Sequence, residues 1–345
     1  MKLDPFQEKA IEHINQGDSV IVSAPTGAGK TVIAEYVIKE CLRLGRKVVY
    51  TATIKALSNQ KYREFQKDYK DSVGILTGDV SINANAPTLI MTTEIFRNKI
   101  LEECSTLKDY AWIIFDEIHY LDDYDRGSVW EESLIFLPHH INVLGLSATI
   151  PNIDQLAKWL ESIHQRPFKV IKEEKRPVPL HFFYQYNNQV YDNLQKFIKD
   201  EQHSRTGVIA ETSNSVKDLM EYLSKRNLFP CIYFSFSRKR TESLANEILN
   251  YNFLSADERV EIKKEFFRLC ERFDLTDDAH SRTMLPFLEK GIAYHHAGML
   301  PTLKEVVEQL FTTRHIKIIF TTETFALGIN MPARTVIFDE LSRYY

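Results

Sequence analysis

The stretch Ser19-Val-Ile-Val-Ser-Ala-Pro-Thr-Gly-Ala-Gly-Lys-Thr31 decides the fold class of this chain. It joins an apolar run at residues 19–23 to an amphipathic run at residues 31–44 through a loop of small residues. The first run is short and β-branched, which is typical of a buried parallel strand, and the second has apolar residues at the spacing of a helix face. Gly45 stands where a glycine commonly ends a helix. The stretch therefore predicts a strand, a tight turn and a helix of an α/β protein.

The same alternation of strand-length and helical runs continues along most of the chain, which predicts doubly wound parallel sheets. A charged run with two prolines, Lys172-Glu-Glu-Lys-Arg-Pro-Val-Pro179, interrupts it and is typical of a linker. We therefore expect one α/β domain at residues 1–172, a linker at 173–180 and a second α/β domain at 181–345. The predicted strands lie at residues 19–23, 47–51, 88–91, 111–115 and 143–146, and in the second domain at 231–236, 291–294, 316–321 and 335–339.

A helix is predicted at residues 256–273, because Ser255 and Glu258 have the spacing of a capping box. Apolar side chains cluster towards its end. We expect Phe266, Phe267, Cys270 and Phe273 to pack in the core of the second domain.

Composition excludes several classes of protein. The chain has 345 residues, with 43 Lys and Arg against 47 Asp and Glu, and 44% of its residues are hydrophobic, which excludes disorder. A formal net charge of −4 argues against a bulk DNA-binding protein, although a local groove could still bind a few phosphates. No apolar run reaches the roughly 18–20 residues of a membrane span, and no signal segment is visible. The four cysteines are scattered, so we expect reduced thiols in a cytoplasmic protein that binds no membrane.

The loop Ala24-Pro-Thr-Gly-Ala-Gly-Lys-Thr31 predicts a phosphate-binding site. Small residues let the chain turn tightly around an anion, and the amides at a helix N-terminus add favourable partial charge. Lys30 is expected to reach the β- and γ-phosphates, and the Thr31 hydroxyl to bind Mg²⁺. Ala24 stands where such loops usually begin with glycine. An ordinary glycine-rich turn is the alternative, which the flanking strand and helix disfavour. ATP and Mg²⁺ are the predicted cofactors.

A second acidic motif supports this prediction. Asp116-Glu-Ile-His119 follows the apolar run at residues 111–115, so its carboxylates lie at the carboxyl end of a strand, where open α/β sheets bind ligands. Asp116 is predicted to hold Mg²⁺, and Glu117 to orient or deprotonate the attacking water. Surface polarity at the end of a strand is the alternative, which the phosphate loop makes a minor one.

These two motifs and Ser147-Ala-Thr149 together resemble the first three signature motifs of superfamily 2 helicases of the DExH-box type. Further segments are similar to other motifs of that family, namely Phe6-Gln7, Thr53 to Lys61, Thr92 to Ile95, Tyr233 to Arg238 and Thr321 to Arg334. Three segments narrow the resemblance to the superkiller-like branch, which includes exosome-associated RNA helicases: Arg126 to Glu132, His295 to Pro301 and the complete Thr321 to Arg334.

The resemblance implies two tandem RecA-like domains with the ATP site in the cleft between them, and ATP-dependent, 3′-to-5′ translocation on RNA. It assigns catalysis to Lys30, Asp116 and Glu117. Adenine and phosphate contacts are implied for Gln7, Ala24, Pro25, Thr26, Gly27, Ala28, Gly29, Lys30 and Thr31, and for Gly328 and Asn330 across the cleft. Coupling is implied for His119, Ser147, Ala148 and Thr149. Contacts to the nucleic acid are implied for Thr53, Lys55, Thr92, Glu94, Thr322 and Thr324.

Two other functions stay open at this point. The first is a DNA helicase of the same branch, since no residue here settles whether the track is RNA or DNA. The second is a non-catalytic scaffold gated by a nucleotide, which the intact Lys30, Asp116 and Glu117 argue against. The family's sixth motif does not occur by residue 345, so we expect part of a longer helicase that hydrolyses ATP feebly. The expected partners are single-stranded RNA and RNA-degradation machinery. His295 and His296 would point apart on a strand, which disfavours a metal site.

Overall fold

The computed structural model describes residues 2–123, 127–186, 188–196, 198–199, 215–325 and 331–340, without the side chains of Ala56, Cys104 and Thr324. The chain divides into two compact units, Met1–Leu180 and His181–Tyr345.

The described part of the first unit is built on an eight-stranded sheet with the order β4-β3-β5-β2-β6-β7-β1-β8. All its neighbouring strands are parallel except β3 and β4, which pair antiparallel. The strands are β1 (Ser19–Ser23), β2 (Lys47–Ala52), β3 (Val73–Leu76), β4 (Ser81–Ile82), β5 (Thr88–Thr92), β6 (Tyr110–Phe115), β7 (Asn142–Ser147) and β8 (Phe168–Lys172). The five strands predicted for this region are confirmed within one residue at each end, whereas β3, β4 and β8 were not predicted.

Helices cover both faces of this sheet, because successive strand residues point to opposite sides. Val20 and Val22 pack in one apolar cluster with α1 and α2, whereas Ile21 packs in the other with α4, α5 and α6. The predicted end of α2 is also confirmed, since Gly45 follows it with φ of +66°. The helices are α1 (Pro5–Asn15), α2 (Thr31–Arg43), α3 (Lys55–Tyr69), α4 (Thr93–Glu103), α5 (Gly127–Ile135) and α6 (Ile153–His164).

The described part of the second unit has a four-stranded parallel sheet with the order β12-β13-β11-β14 and a separate antiparallel hairpin of β9 and β10. The strands are β9 (Tyr184–Tyr186), β10 (Gln189–Tyr191), β11 (Cys231–Phe234), β12 (Ile292–His295), β13 (Ile318–Thr321) and β14 (Thr335–Phe338). The helices are α7 (Val216–Lys225), α8 (Arg238–Glu247), α9 (Ala256–Arg272), α10 (Ala279–Leu288) and α11 (Pro301–Thr312). The predicted α/β class with parallel sheets is thus confirmed. Throughout the described part of the chain, every helix is too short or too polar to cross a membrane.

Helix α9 begins with the predicted capping box: the Ser255 side chain accepts from the Glu258 amide, and the Glu258 side chain accepts from the Ser255 amide. Phe266 and Cys270 are buried as expected, but the prediction for Phe267 is wrong, because its side chain is 51% exposed. Consecutive residues of a helix point about 100° apart, so the turn that buries Phe266 directs Phe267 to solvent.

Three cysteines that the structure describes, Cys41, Cys231 and Cys270, are free thiols, as expected, and all three are buried. Burial raises the pKa of Cys41 to about 12 and raises the pKa of the other two as well. These thiols are therefore inert packing groups near neutral pH.

Candidate nucleotide site and nucleic-acid groove

The phosphate loop lies between β1 and α2, as the sequence predicts. Gly27 and Gly29 have φ of +84° and +85°, a left-handed conformation that glycine adopts without the usual steric cost. Ala24, the departure from the usual motif, is fully buried, and its amide donates to the carbonyl oxygen of Ser147 at 3.1 Å. Thr26 and Gly27 are exposed at the tip of the loop. Buried residues at the base and left-handed glycines at the tip thus hold a turn that opens to solvent.

Helix α1 contacts this loop through Gln7, whose side chain is buried. Its Nε2 donates to the carbonyl oxygen of Gly29 at 3.0 Å, and its Oε1 accepts from the Asp4 amide at 2.9 Å. A Cβ added at Gly29 would lie only 2.8 Å from this Nε2. Gln7, which the resemblance assigns to adenine, therefore also supports the backbone of the phosphate loop.

The Lys30 ammonium lies over the same loop, where Nζ donates to the carbonyl oxygens of Ala24 at 2.8 Å and Pro25 at 3.3 Å. Burial lowers the pKa of Lys30, while the charges of Glu117 and Asp116 act in the opposite direction. The loop lysine and both carboxyls of the acidic motif therefore share one electrostatic environment, although they are some 86 residues apart in the chain.

Asp116 follows β6, and hydrogen bonds fix its carboxylate on both oxygens. The Tyr50 hydroxyl donates to Oδ2, and the amide of Glu117 donates to Oδ1 at 3.1 Å. The Asp116 amide itself donates to the carbonyl oxygen of Thr51 at 3.2 Å. The neighbouring strand β2, which carries Tyr50 and Thr51, thus holds both the backbone and the side chain of Asp116.

Glu117 has a left-handed backbone with φ of +57°, which is rare for a residue with a Cβ and costs free energy. Burial, and next the charge of Asp116, raise the pKa of Glu117 to about 7, and the charges of Lys30 and Lys61 oppose this rise. A carboxyl group with a pKa near neutrality can accept and release a proton under working conditions. The strained backbone and raised pKa set Glu117 apart from an ordinary surface carboxylate.

His119 links the acidic motif to the segment after β7. Its Nδ1 accepts a long hydrogen bond of 3.5 Å from the Ala148 amide and lies 3.4 Å from Glu117 Oε2. Burial lowers the pKa of His119, which favours the neutral form of the ring near pH 7. Ser147 is fully buried, and its Oγ has no partner among the residues that the structure describes, whereas Thr149 is exposed.

A separate groove of the first unit brings together all four residues that the resemblance assigns there to nucleic acid. It is a cavity of about 390 Å³, lined by Thr53, Ile54, Lys55, Gly78, Thr92, Glu94 and Ile95. The segments that follow β2 and β5 both line this groove. They emerge side by side because the two strands pair in parallel, with Ala52 opposite Thr92. Lys55 Nζ binds Asp79 Oδ2 at 2.5 Å at the edge of this groove.

In the second unit, Thr322 follows β13, is buried, and donates its amide to the carbonyl oxygen of His295 at 3.3 Å. The side chain of Thr324 and the whole of Gly328 and Asn330 lie outside the described residues. Their predicted roles therefore stay predictions.

The two adjacent histidines of this unit bind different helices. His295 Nε2 contacts Glu308 of α11 at 2.9 Å, and His296 Nε2 contacts Glu242 of α8 at 2.8 Å. Each ring thus has its own carboxylate, and the two side chains diverge as expected for neighbours on a strand.

The sequence patterns assign no individual role to four residues at these sites: Tyr50, Lys61, Gly78 and Asp79. The sequence does carry one signal for Tyr50, because this tyrosine directly follows two valines in a strand that is expected to be buried. A buried phenol needs a hydrogen-bond partner, so Tyr50 could have been marked as a contact of some polar group. The other three depend on contacts between segments that are distant in the chain, which leave no local trace in the sequence.

A phosphate loop, an acidic motif at the end of another parallel strand of the same sheet and a threonine-lined groove are the features expected of a nucleotide-dependent helicase domain. In agreement, residues 4–156 match the family model of the DEAD/DEAH box helicases. This segment belongs to that family, and its sheet has the RecA-like fold of that family.

Over 99% of its length, the chain is similar to larger RNA helicases, which confirms the resemblance to the superkiller-like branch. It is 42% identical over 367 residues to the exosome RNA helicase MTR4 of Mus musculus, and 39% identical over 375 residues to the DExH-box ATP-dependent RNA helicase DExH9 of Arabidopsis thaliana. It is 38% identical over 374 residues to the superkiller complex protein 2 of Mus musculus. The chain spans 35%, 38% and 30% of the length of these curated relatives.

Proposed function

We propose that this chain is the ATP- and RNA-binding core of an ATP-dependent RNA helicase that moves 3′-to-5′ and unwinds or remodels RNA. The observation that carries the proposal is the shared electrostatic environment of Lys30, Asp116 and Glu117 at a phosphate loop. The names of the similar proteins support RNA as the track. The domains would be residues 1–172 and 181–345, joined by a linker at 173–180.

The residues at the loop fit a magnesium nucleotide. The Thr31 hydroxyl and the Asp116 carboxylate are oxygen donors, which Mg²⁺ prefers. Ser147 Oγ, which has no partner in the described part of the chain, is a further polar group beside the loop. When bound, Mg²⁺ would neutralise phosphate charge. In the nucleotide-bound protein, Lys30 exchanges the carbonyl oxygens of Ala24 and Pro25 for phosphate oxygens, a stronger, charge-assisted contact.

Glu117 is the general base of the proposed reaction. Its carboxylate accepts the proton of the attacking water, which its raised pKa favours near neutrality. His119 and the segment Ser147 to Thr149 transmit the state of this site, since the Ala148 amide contacts His119 and the Ser147 carbonyl accepts from Ala24. Gln7 orients the loop and adenine, and Gly328 and Asn330 are the proposed nucleotide-binding residues of the second unit.

The groove of the first unit binds the backbone of the nucleic acid. Lys55 and the hydroxyls of Thr53 and Thr92 contact phosphates without reading bases, so the protein can act on many sequences. Glu94 lies along the same path, and Thr322 and Thr324 are the proposed contacts of the second unit. We further propose RNA-degradation machinery as a partner and the cytoplasm as the compartment, with the nucleus as the alternative.

The test compares ATP binding and hydrolysis with matched single-stranded RNA and DNA, for the wild-type chain and Glu117→Gln. We expect both proteins to bind ATP with Mg²⁺, and hydrolysis to occur in the wild type alone. We also expect the RNA strand to bind the chain more tightly than the matched DNA strand in competition. Tighter binding of the DNA strand would show that DNA, and not RNA, is the track. Nucleotide and RNA binding without any hydrolysis in the wild type would identify a scaffold instead of an enzyme.

A further inference from the structure

We propose that Tyr50 is a positioning residue, whose buried hydroxyl holds the Asp116 carboxylate in the orientation that serves Mg²⁺. The inference rests on the proposed function, because it takes Asp116 as a magnesium-binding residue. Tyr50 belongs to none of the motifs that point to a helicase, and it acts through Asp116 without touching the nucleotide.

Among the described residues, the Tyr50 hydroxyl makes one hydrogen bond, to Asp116. The side chain is fully buried in the middle of β2, and its ring packs edge-on against Phe65 of α3 with the ring centroids 5.4 Å apart. A rigid ring fixed by packing leaves the oxygen little freedom. Since a buried phenol without a partner is costly, its bond to Asp116 Oδ2 is retained, and it is charge-assisted because the acceptor is a carboxylate.

The carboxylate of Asp116 is held on both sides. Oδ2 accepts from Tyr50, and Oδ1 accepts from the Glu117 amide, so rotation about the bond to the carboxyl group would break one or both contacts. An ionised carboxylate offers about four acceptor positions, and two of them stay free for a metal ion or its water. Without the Tyr50 hydroxyl, the Glu117 amide would be the one remaining hydrogen-bond donor to this carboxylate among the described residues.

Tyr50→Phe isolates this contact, because phenylalanine keeps the ring and removes one oxygen atom. Tyr110→Phe is the matched control: Tyr110 is a buried tyrosine at the opposite end of β6 from Asp116, and its substitution makes the same chemical change. Thermal unfolding of each variant verifies that it is folded at the temperature of the assay.

The experiment titrates Mg²⁺ into the 345-residue chain with a fluorescent ATP analogue and measures analogue binding, not turnover. For Tyr50→Phe, we expect the Mg²⁺ concentration at half-saturation to rise about tenfold, the size typical of removing a group that orients a metal ligand. Binding of the analogue in EDTA stays unchanged, and Tyr110→Phe behaves as the wild type. A wild-type Mg²⁺ requirement in Tyr50→Phe overturns the inference alone. A wild-type chain that binds no analogue with or without Mg²⁺ overturns the proposed function as well.

A double-mutant cycle with Asp116→Asn tests whether Tyr50 acts through Asp116. If it does, Tyr50→Phe raises the Mg²⁺ requirement in the wild-type background and leaves it unchanged in Asp116→Asn. The same rise in both backgrounds would show that Tyr50 acts by another route and would contradict the positioning role.

Discussion

The side-chain amide of Gln7 holds the phosphate loop directly, since its Nε2 donates to the carbonyl oxygen of Gly29 at 3.0 Å. The same glutamine accepts from the Asp4 amide at the start of α1, so one side chain joins the helix N-terminus to the loop. The loop conformation at Gly29 thus depends on a residue 22 positions earlier in the chain.

Gly29→Ala should abolish most nucleotide binding. The added Cβ would lie 2.8 Å from Gln7 Nε2, and φ of +85° is strained for any residue with a Cβ. Because a displaced loop misaligns several phosphate contacts at once, we expect ATP affinity to fall about tenfold or more, measured by calorimetry.

Gly17→Ala is the matched control for this substitution. Gly17 has φ of +82° but open space around its Cβ position, so it suffers the same backbone strain without the contact. It should lower thermal stability and keep ATP affinity. Equal losses of ATP affinity in both variants would show that general strain, and not the contact with Gln7, is responsible.

ATP hydrolysis should depend on the ionisation of Glu117. A general base works as the carboxylate, so kcat/KM rises with pH and levels off above the pKa of about 7. Glu117→Gln keeps ATP binding and removes this rise along with most of the activity. A flat pH profile of the wild type from about pH 5 to pH 8 would contradict the role of Glu117 as base.

The raised pKa of Glu117 also predicts a cost in stability. The group has a pKa of about 7 in the folded protein against an ordinary value of 4.5, so the folded state resists ionisation. Its contribution to stability is fully present below the unfolded pKa and is lost as the pH rises to about 7. Relative to the wild type, Glu117→Gln should therefore gain about 1–2 kcal/mol of unfolding free energy between about pH 4.5 and pH 8, a discounted value for a half-buried group. Denaturant unfolding at both pH values measures this gain, and an equal difference at both would contradict it.

Lys55 and Asp79 should have opposite effects on RNA binding, because the Asp79 carboxylate competes with phosphate for the same ammonium. Lys55→Ala should weaken RNA binding and reduce the slope of log K against log salt by about 1, whereas Asp79→Asn should tighten binding severalfold. Fluorescence anisotropy at several salt concentrations gives both values. Lys172→Ala, which breaks another exposed ion pair of 2.5 Å in the same unit, is the control and should leave the slope unchanged.

Local features of the molecule were predictable and distant pairings were not. The strand, loop and helix around Lys30 were predictable because β1, two left-handed glycines and α2 are consecutive in the chain. Strand β3 was missed because Gly74 interrupts a run of four residues, and β4 because it is two residues long. The bond from Tyr50 to Asp116 spans 66 positions and exists because β2 lies beside β6, an order of strands that the sequence pattern does not specify.

ATP should control how this chain binds RNA, and linkage between the two ligands tests this most directly. The measurement is the affinity for a fluorescent single-stranded RNA with and without Mg²⁺ and a non-hydrolysable ATP analogue, for the wild type and Lys30→Ala. We expect the analogue to change RNA affinity by about fivefold or more in the wild type and to have no effect in Lys30→Ala. RNA affinity that is undetectable, or identical with and without the analogue in the wild type, would contradict it.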